Sequence, residues 1–217
     1  MPLTKPRFSQ INTAFSTVSD PITVLNQGST VANVDVGFLF NRSNGLSSNV
    51  AFYWSESGNT FVTAFTTASG VTNSNVTIAA YANVALGKVT SNYADIAENY
   101  MSDNNYPPGT VVVFGGTQEI TVTNVSHDSR VAGVISTAPS YLMNSVRGNL
   151  AVALTGRVPC YVQGPVSKGN ILVTSKTNGV AEVLNKELFN PGCVIGKSLQ
   201  DINTESIELI EISVGRF

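Results

Sequence analysis

Charge is what this sequence lacks most. Only 12% of its 217 residues are charged, which is about half the share usual for a globular protein, and the formal net charge is −2. Binding to nucleic acid requires clustered Lys and Arg side chains that displace counterions from phosphates, and the chain has no such cluster. The composition therefore argues against a nucleic-acid partner. Because charges are few, we expect the hydroxyl and amide groups of the abundant Ser, Thr and Asn side chains to hydrate the surface.

Long apolar runs and metal-binding patterns are also missing. No stretch reaches the roughly 18 apolar residues of a membrane-spanning helix, and the first residues lack the apolar core of a signal peptide, so we expect a chain made in a cytosol with no membrane partner. His127 is the only histidine, and Cys160 and Cys193 are the only cysteines. Their spacing suggests neither a metal site nor a cofactor. We expect two buried thiols, and a disulfide between them is the lesser alternative in a cytosol.

Catalytic patterns fail on inspection. Gly192 to Ser198 resembles a phosphate-binding loop, but three residues separate its glycines and the loop needs four. His127, Asp128 and Ser129 are adjacent in the chain, and adjacent residues rarely face one another in a catalytic triad. We interpret NVSHDSR as a polar turn between two strands, and we predict no catalytic residue and no enzyme.

Residues 1–30 are predicted to form an amino-terminal arm. Phe8, Ile11, Phe15 and Val18 have the spacing of the apolar positions in a heptad repeat, which would let a short helix pack against a symmetry mate. Ser, Thr and Asn are poor residues for a helix interior, so an extended arm that docks its aromatic side chains on a neighbouring subunit is equally compatible. In both cases these four residues are candidate assembly contacts.

Residues 31–92 are predicted to form a β-domain. Strand-like runs such as VANVDVGFLF, NVAFYW and TFVTAF are separated by NRSNGLSS and SESGN, which have the Asn, Gly and Ser typical of turns. Trp54, next to Tyr53, has two interpretations. Both rings are candidate contacts for a host glycan, but a lone Trp beside a hairpin turn more often anchors a small β-core.

Residues 93–217 are predicted to form a compact β-barrel or sandwich, which makes the whole protein all-β. Pro108-Gly109 suits the two central positions of a type II turn that starts the strand TVVVF. Only PSYLMNS and NKELFN are predicted to form a helical turn. The strings Gly109–Val113 and Gly169–Val173, and likewise 133–135 and 193–195, match at an offset of 60 positions. This suggests two duplicated half-barrels, although such short strings also match by chance.

Asp95 and Glu98 are the remaining candidates. Three positions apart, they would share one face of a helical turn, where they could bind backbone amides or a nearby arginine such as Arg130 or Arg157. Their predicted role is to set the register between subunits.

Two series of motifs resemble virion structural and fibre-like proteins of tailed bacteriophages, particularly cyanophages. The first runs from D-x-A-E through GTVV and GVIS to GRVP and GPV over residues 94–175. The second comprises Asp35, Val36, Gly37, Phe38, Phe40, Arg42, Ala51, Trp54, Glu56, Ser57 and Phe61. Such proteins are commonly trimeric, so the resemblance implies a non-enzymatic virion subunit, made in the host cytoplasm, that assembles as a homotrimer.

The position on the particle stays open at this point. The leading interpretation is a short tail fibre or appendage that the arm attaches to other tail or baseplate proteins. The alternatives are a capsid decoration protein and an adhesin for host surface polysaccharide. Tyr93, Ala94, Asp95, Ala97 and Glu98 are also similar to the opening of a self-cleaving, chaperone-like domain of phage appendage proteins, although Ile96 departs from its usual tyrosine.

Overall fold

The computed structural model describes residues 24–26, 30–42, 49–68 and 75–215. It is all-β, as the sequence predicted, with 45% of the described residues in strands. Phe8, Ile11, Phe15 and Val18 lie outside the described residues, so the predicted arm contacts stay predictions. The chain divides into two compact units, the first ending at Lys88 and the second beginning at Val89, close to the predicted junction.

The described residues of the first unit form an antiparallel sheet of four strands in chain order. They are β1 (Val36–Phe40), β2 (Asn49–Ser55), β3 (Thr60–Thr66) and β4 (Ile78–Tyr81). A tight turn joins β2 to β3, and its residue Asn59 has a φ of 50°, a conformation that asparagine tolerates better than most residues. One face of the sheet carries a small core of Ala51, Tyr53, Val62 and Ala64, with Leu39 and Val76 packed against it.

The second unit contains ten strands within residues 89–215, the part that the structure describes. They are β5 (Asp95–Tyr100), β6 (Val111–Phe114), β7 (Ile120–Thr121), β8 (Val131–Ile135), β9 (Tyr141–Met143), β10 (Leu150–Gln163), β11 (Ile171–Thr174), β12 (Ala181–Val183), β13 (Val194–Ser198) and β14 (Ile207–Val214).

Three local predictions can be compared with these strands. The predicted type II turn is confirmed, because Gly109 has a φ of 89° and the N–H of Thr110 donates to the carbonyl of Pro107 at 3.2 Å. The segment NKELFN forms a single turn of 3-10 helix, Lys186–Leu188. The helical turn predicted in PSYLMNS is wrong, because Tyr141–Met143 pairs with β5 as a parallel strand.

The order of eight strands in the second unit is a palindrome, while β5 and β9 lie off this path, with β5 paired to β10 and β9 paired to β5. It reads β12-β11-β13-β14-β10-β8-β6-β7, so that β10 and β14 pair at the centre over eight residue pairs. On each side of this pair a three-stranded group follows, β13-β11-β12 on one side and β8-β6-β7 on the other. A parallel pairing of Val162 with Ala181 joins β12 to β10 and closes the strands β10, β14, β13, β11 and β12 into a five-stranded barrel.

The two halves have corresponding strands, as the predicted duplication requires, but one of its two sequence matches is wrong. Gly109 and Gly169, before β6 and β11, have φ angles of 89° and 90°. Val112 pairs with Gly133 in one half and Leu172 pairs with Gly196 in the other, and the register shifts directly after each pair. Leu172 lies 60 positions after Val112, but Gly196 lies 63 positions after Gly133. The constant offset of the sequence comparison therefore aligned Gly133 with Cys193 instead of Gly196, because the connection before β13 is longer.

Glycine at these two paired positions has a steric cause. A Cβ atom at Gly133 would overlap the carbonyl oxygen of Ala153 in β10, and one at Gly196 would overlap that of Ser213 in β14. Each half thus brings the backbone of its third strand onto the neighbouring long strand. Each half has its own hydrophobic core, with Val112, Ile120 and Val152 buried in one and Leu172, Ile195 and Ile212 buried in the other.

Both cysteines are buried in this second unit and both are free. Cys160 lies in β10 and Cys193 directly precedes β13. The preferred prediction of two buried thiols is therefore confirmed. Burial raises the pKa of the Cys160 thiol far above its ordinary value, because the apolar core disfavours the thiolate.

Candidate functional site

Asp95 and Glu98 lie on strand β5, so the predicted helical turn is wrong. Alternate side chains of a strand point to opposite faces, and residues three apart therefore cannot form one site. Asp95 is 4% exposed, whereas Glu98 accepts a hydrogen bond from the hydroxyl of Tyr100 at 2.9 Å. Burial and this carboxylate together raise the pKa of Tyr100 to about 12. The two carboxylates have separate surroundings and act separately.

Asp95 lines a pocket of about 240 Å³. Asn92, Tyr93, Ser136, Arg157 and Glu211 are among the other lining residues. Asp95 Oδ2 and Ser136 Oγ are both buried without a hydrogen-bond partner in the described structure, which costs free energy. This pocket is the strongest candidate for a chemical role in the second unit.

The predicted arginine partners do not bind these carboxylates. Arg130 donates to Asp128 through Nε at 3.0 Å and Nη2 at 2.6 Å. Arg157 lines the pocket, but it makes no ion pair with Asp95 among the described residues. The proposed role of Asp95 and Glu98 in subunit registration stays a prediction.

Asp128 belongs to a buried polar network that the sequence showed only as a turn. Its carboxylate accepts from Arg130 and also from the Thr123 hydroxyl at 2.8 Å, and its backbone N–H donates to the hydroxyl of Thr174 at 2.8 Å. The hydrogen bonds from the Arg130 side chain lower the pKa of Asp128 to about 2 against the opposing effect of burial. The network ties the turn to strand β11.

His127 lies in the same turn and is also buried, with 6% of its surface exposed. Its Nε2 accepts the backbone N–H of Asn185 at 3.0 Å, so this nitrogen carries no proton and Nδ1 is the donor. Nδ1 lies 2.6 Å from the hydroxyl of Ser126, which in turn donates to Glu182. The serine proton therefore points to a carboxylate and not to an imidazole base.

This arrangement contains the residue types of a Ser-His-acid cluster, but its hydrogen bonds run in the opposite direction. In a triad the histidine accepts the proton of the nucleophile, whereas His127 here donates to Ser126 and uses its other nitrogen for the backbone. The predicted polar turn between β7 and β8 is confirmed. Its burial was missed, and the positive φ of 60° at His127 is not visible in the sequence.

The first unit carries a surface that we call the aromatic face. It is the face of the sheet opposite the small core, and the strand registers place on it Val36, Phe38, Phe40, Val50, Phe52, Trp54, Phe61, Thr63 and Phe65. Every one of these residues except Thr63 is apolar. Phe52 stacks on Phe61 with ring centroids 5.6 Å apart, and Trp54 meets Phe61 edge-on at 5.2 Å.

The two predicted glycan contacts lie on opposite faces. Tyr53 is 3% exposed and belongs to the small core, so it cannot stack on a sugar, and its assignment as a glycan contact is wrong. Trp54 is half-buried on the aromatic face, so the prediction that it anchors the core is also wrong. Period-two alternation sends neighbouring side chains to opposite sides, which alone separates the two rings.

No cluster of three or more His, Cys, Asp or Glu side chains suited to a metal ion occurs in the described ranges. Within those ranges no helix is long and apolar enough to cross a membrane. Comparisons with family models, with curated proteins and with solved structures give no match to this chain. Its function therefore has to be inferred from its own residues.

Proposed function

We propose that this chain is a non-enzymatic structural subunit of a tailed-phage particle that assembles as a homotrimer. Its leading role is a short tail fibre or appendage, with residues 1–30 attaching it to other virion proteins. The two series of motifs that resemble phage structural proteins support the assignment to a phage particle. The apolar surface of the molecule supports assembly with other copies.

The observation that carries the proposal is the amount of large apolar side chain at the surface of both units. Phe38, Phe40 and Phe61 are 52%, 54% and 66% exposed in the first unit. Tyr141 and Leu209 are 62% and 52% exposed in the second. Contiguous apolar patches beyond a few hundred Å² are rare on proteins that stay monomeric. A subunit that buries this surface against other copies accounts for it.

The polar groups support a scaffold role in a complementary way. Ser126 and His127 are hydrogen-bonded to each other, and His127 also accepts the backbone N–H of Asn185. The Asp128 carboxylate accepts the backbone N–H of Arg130, and these contacts hold a turn in place. Because His127 Nε2 accepts a backbone N–H, it is not free to act as a general base for Ser126. The network stabilises the fold.

The mass of the particle-free protein in solution tests the proposal. We expect light scattering to give three times the chain mass of 22.9 kDa, both for the whole chain and after deletion of residues 1–20. A trimer that survives the deletion leaves the arm available for the particle. A monomer in both cases would contradict self-assembly and would favour a capsid decoration protein that forms its oligomer only on a capsid surface.

A self-cleaving subunit is the second candidate, and one observation favours it. Asp95 has a buried oxygen without a partner, and it lines the same pocket as Asn92 and Tyr93, where the resembling domain would cut. Intact mass of the purified chain distinguishes the two candidates. We expect the full 22.9 kDa. A fragment that begins between residues 92 and 95, and that is lost in Asp95→Asn, would establish cleavage.

A further inference from the structure

We propose that the aromatic face of the first unit is the surface through which copies of this chain contact one another, with Arg42 of each copy beside Glu56 of the next. This inference rests on the homo-oligomer proposed above, and it names the surface that forms it. The occupant of the face is thus a second copy of the same chain.

The exposed area of the face is of the size that an interface requires. Phe38, Phe40, Phe52 and Phe61 are each between 42% and 66% exposed. An aromatic side chain buries roughly 150–250 Å² when fully covered, so these four rings alone leave on the order of 400 Å² uncovered. Two such faces contribute about 800 Å², and the flanking Val and Trp side chains bring the contact near the roughly 1,000 Å² of a specific interface.

The chemistry of the face favours an apolar partner over a sugar. The hydroxyl of Thr63 donates to the carbonyl of Ala82 at 3.1 Å, and the indole N–H of Trp54 donates to Glu56 at 3.0 Å. The polar groups of the face are therefore already bonded within the chain, whereas a glycan site needs free polar groups that fix the hydroxyls of the ligand. A second copy presents the same apolar surface and needs none.

Preformed ring contacts lower the cost of association. Phe61 lies against both Phe52 and Trp54, and the guanidinium of Arg42 lies 5.3 Å from the ring centroid of Phe65. These side chains hold defined positions before a partner arrives, so less conformational freedom is lost when copies meet.

Opposite charges lie at opposite ends of the face. Arg42 follows the end of β1 and lies over Phe65, whereas Glu56 follows the end of β2 and contacts Trp54. The register places these two strand ends at opposite ends of the sheet along the strand direction, since Phe40 pairs with Val50 and Val36 pairs with Trp54. The Asp35 carboxylate near Glu56 already accepts two backbone N–H groups. Glu56 is therefore the anion that can meet a cation from outside.

Three copies of the sheet can form a closed ring in which Arg42 of each copy lies beside Glu56 of the next. When the strands run around a three-fold axis, the Arg42 end of each sheet abuts the Glu56 end of the next, which is a heterologous contact that closes on itself. The phenylalanines then fill the centre of the ring. Electrostatic complementarity sets the register, and the apolar face supplies the affinity.

The first test replaces exposed rings of the face. Phe38→Ser combined with Phe40→Ser should weaken association by about tenfold or more, because interface aromatics dominate binding. Phe189→Ser is the matched control, since Phe189 is 55% exposed in the second unit. Light scattering across a dilution series gives the mass. Emission from Trp54, the only tryptophan, reports the face directly and should shift to longer wavelength as copies separate.

The second test uses charge reversal, which leaves the rings in place. Arg42→Glu and Glu56→Arg should each weaken association several-fold, and the double exchange should restore it because opposite charges meet again. A double variant that stays as weak as either single variant would overturn the Arg42–Glu56 contact.

The outcomes separate this inference from the function on which it rests. A wild-type trimer that dissociates in the double serine variant, but not in Phe189→Ser, supports both. A trimer that persists in the double serine variant overturns the aromatic face as the contact and leaves the trimer standing. A wild-type monomer at every concentration overturns the homo-oligomer and this inference together. Saturable quenching of Trp54 by an oligosaccharide, without any change in mass, would assign the face to a glycan instead.

Discussion

The two units of this chain both expose large apolar side chains, but their cores are built from different residues. The second unit buries Val, Leu and Ile side chains in a palindromic sheet whose central strands β10 and β14 are flanked by the two halves. The first unit has a core of mainly small residues, Ala51, Val62 and Ala64 around Tyr53, and leaves its phenylalanines on the surface. Aromatic side chains carry the largest apolar area. A unit that exposes them gains less stability from the burial of apolar area within its own fold.

The largest expected effect tests this contrast directly. Leu172 is fully buried and Phe40 is 54% exposed. Leu172→Ala should lower the free energy of unfolding by about 3 kcal/mol through lost contacts and a cavity. Phe40→Ala, measured by urea unfolding at a concentration where the chain is monomeric, should change it by less than about 0.5 kcal/mol. Equal losses in the two variants would contradict the contrast between the units.

A comparable effect is expected at the two paired glycines of the second unit. Gly133→Ala and Gly196→Ala should each destabilise the protein by about 2–3 kcal/mol, because a methyl group would overlap a carbonyl of the neighbouring strand and force the strands apart. Gly87→Ala is the control, since a Cβ there has open space around it, and it should be nearly neutral. Thermal unfolding followed by circular dichroism measures all three. The loss should be greater at Gly133, because its φ of 150° is one that alanine rarely adopts. Equal losses would show that overlap with the neighbouring carbonyl alone sets the cost.

A smaller effect is expected from the Asp128–Arg130 pair. The pKa of Asp128 is lowered to about 2 in the folded protein, so its contribution is complete above the unfolded pKa of about 3.9 and is lost as the pH falls through 2. The Arg130 side chain is 53% exposed, and solvent screening limits the contribution to on the order of 1 kcal/mol. Asp128→Asn should cost this much at pH 7 and almost nothing at pH 2.

Urea unfolding at pH 7, 4 and 2 measures that difference. The other acidic residues titrate in the same range, so the informative quantity is the gap between the wild type and the variant at each pH. A gap that stays constant from pH 7 to pH 2 would show that the carboxylate charge is not what stabilises the turn.

The smallest expected effect concerns Tyr100. Burial is the larger cause of its raised pKa and the hydrogen bond to Glu98 the second. Glu98→Gln should therefore lower the pKa of Tyr100 from about 12 towards its ordinary value of 10.0 without reaching it. Phenolate absorbance in an alkaline titration measures this, and Tyr100→Phe identifies the signal. A complete return to the ordinary value would show that the carboxylate, and not burial, dominates.

Neither the aromatic face nor the position of Asp95 could be predicted fully from the sequence. Phe38, Phe52 and Phe61 follow the alternation of a strand, so they are expected to share a face with their paired neighbours once the register is known. The register depends on which residues pair across the turns, and the sequence alone placed Trp54 in the core. Asp95 shows the same limit. Its spacing from Glu98 suits a helical turn, but pairing of β5 with β10 makes it a buried strand residue.

The sequence by itself determined that the chain is built of short strands and turns, because Gly, Pro and Asn at the turns and β-branched residues between them act through local conformational preference. It also determined the equivalence of Gly109–Val113 and Gly169–Val173, which is local. Only the tertiary structure decided the palindromic order of the sheet, the match of Gly133 with Gly196, and which face carries the phenylalanines. These depend on pairing between residues far apart in the chain, where a shift of one position turns every side chain to the other side.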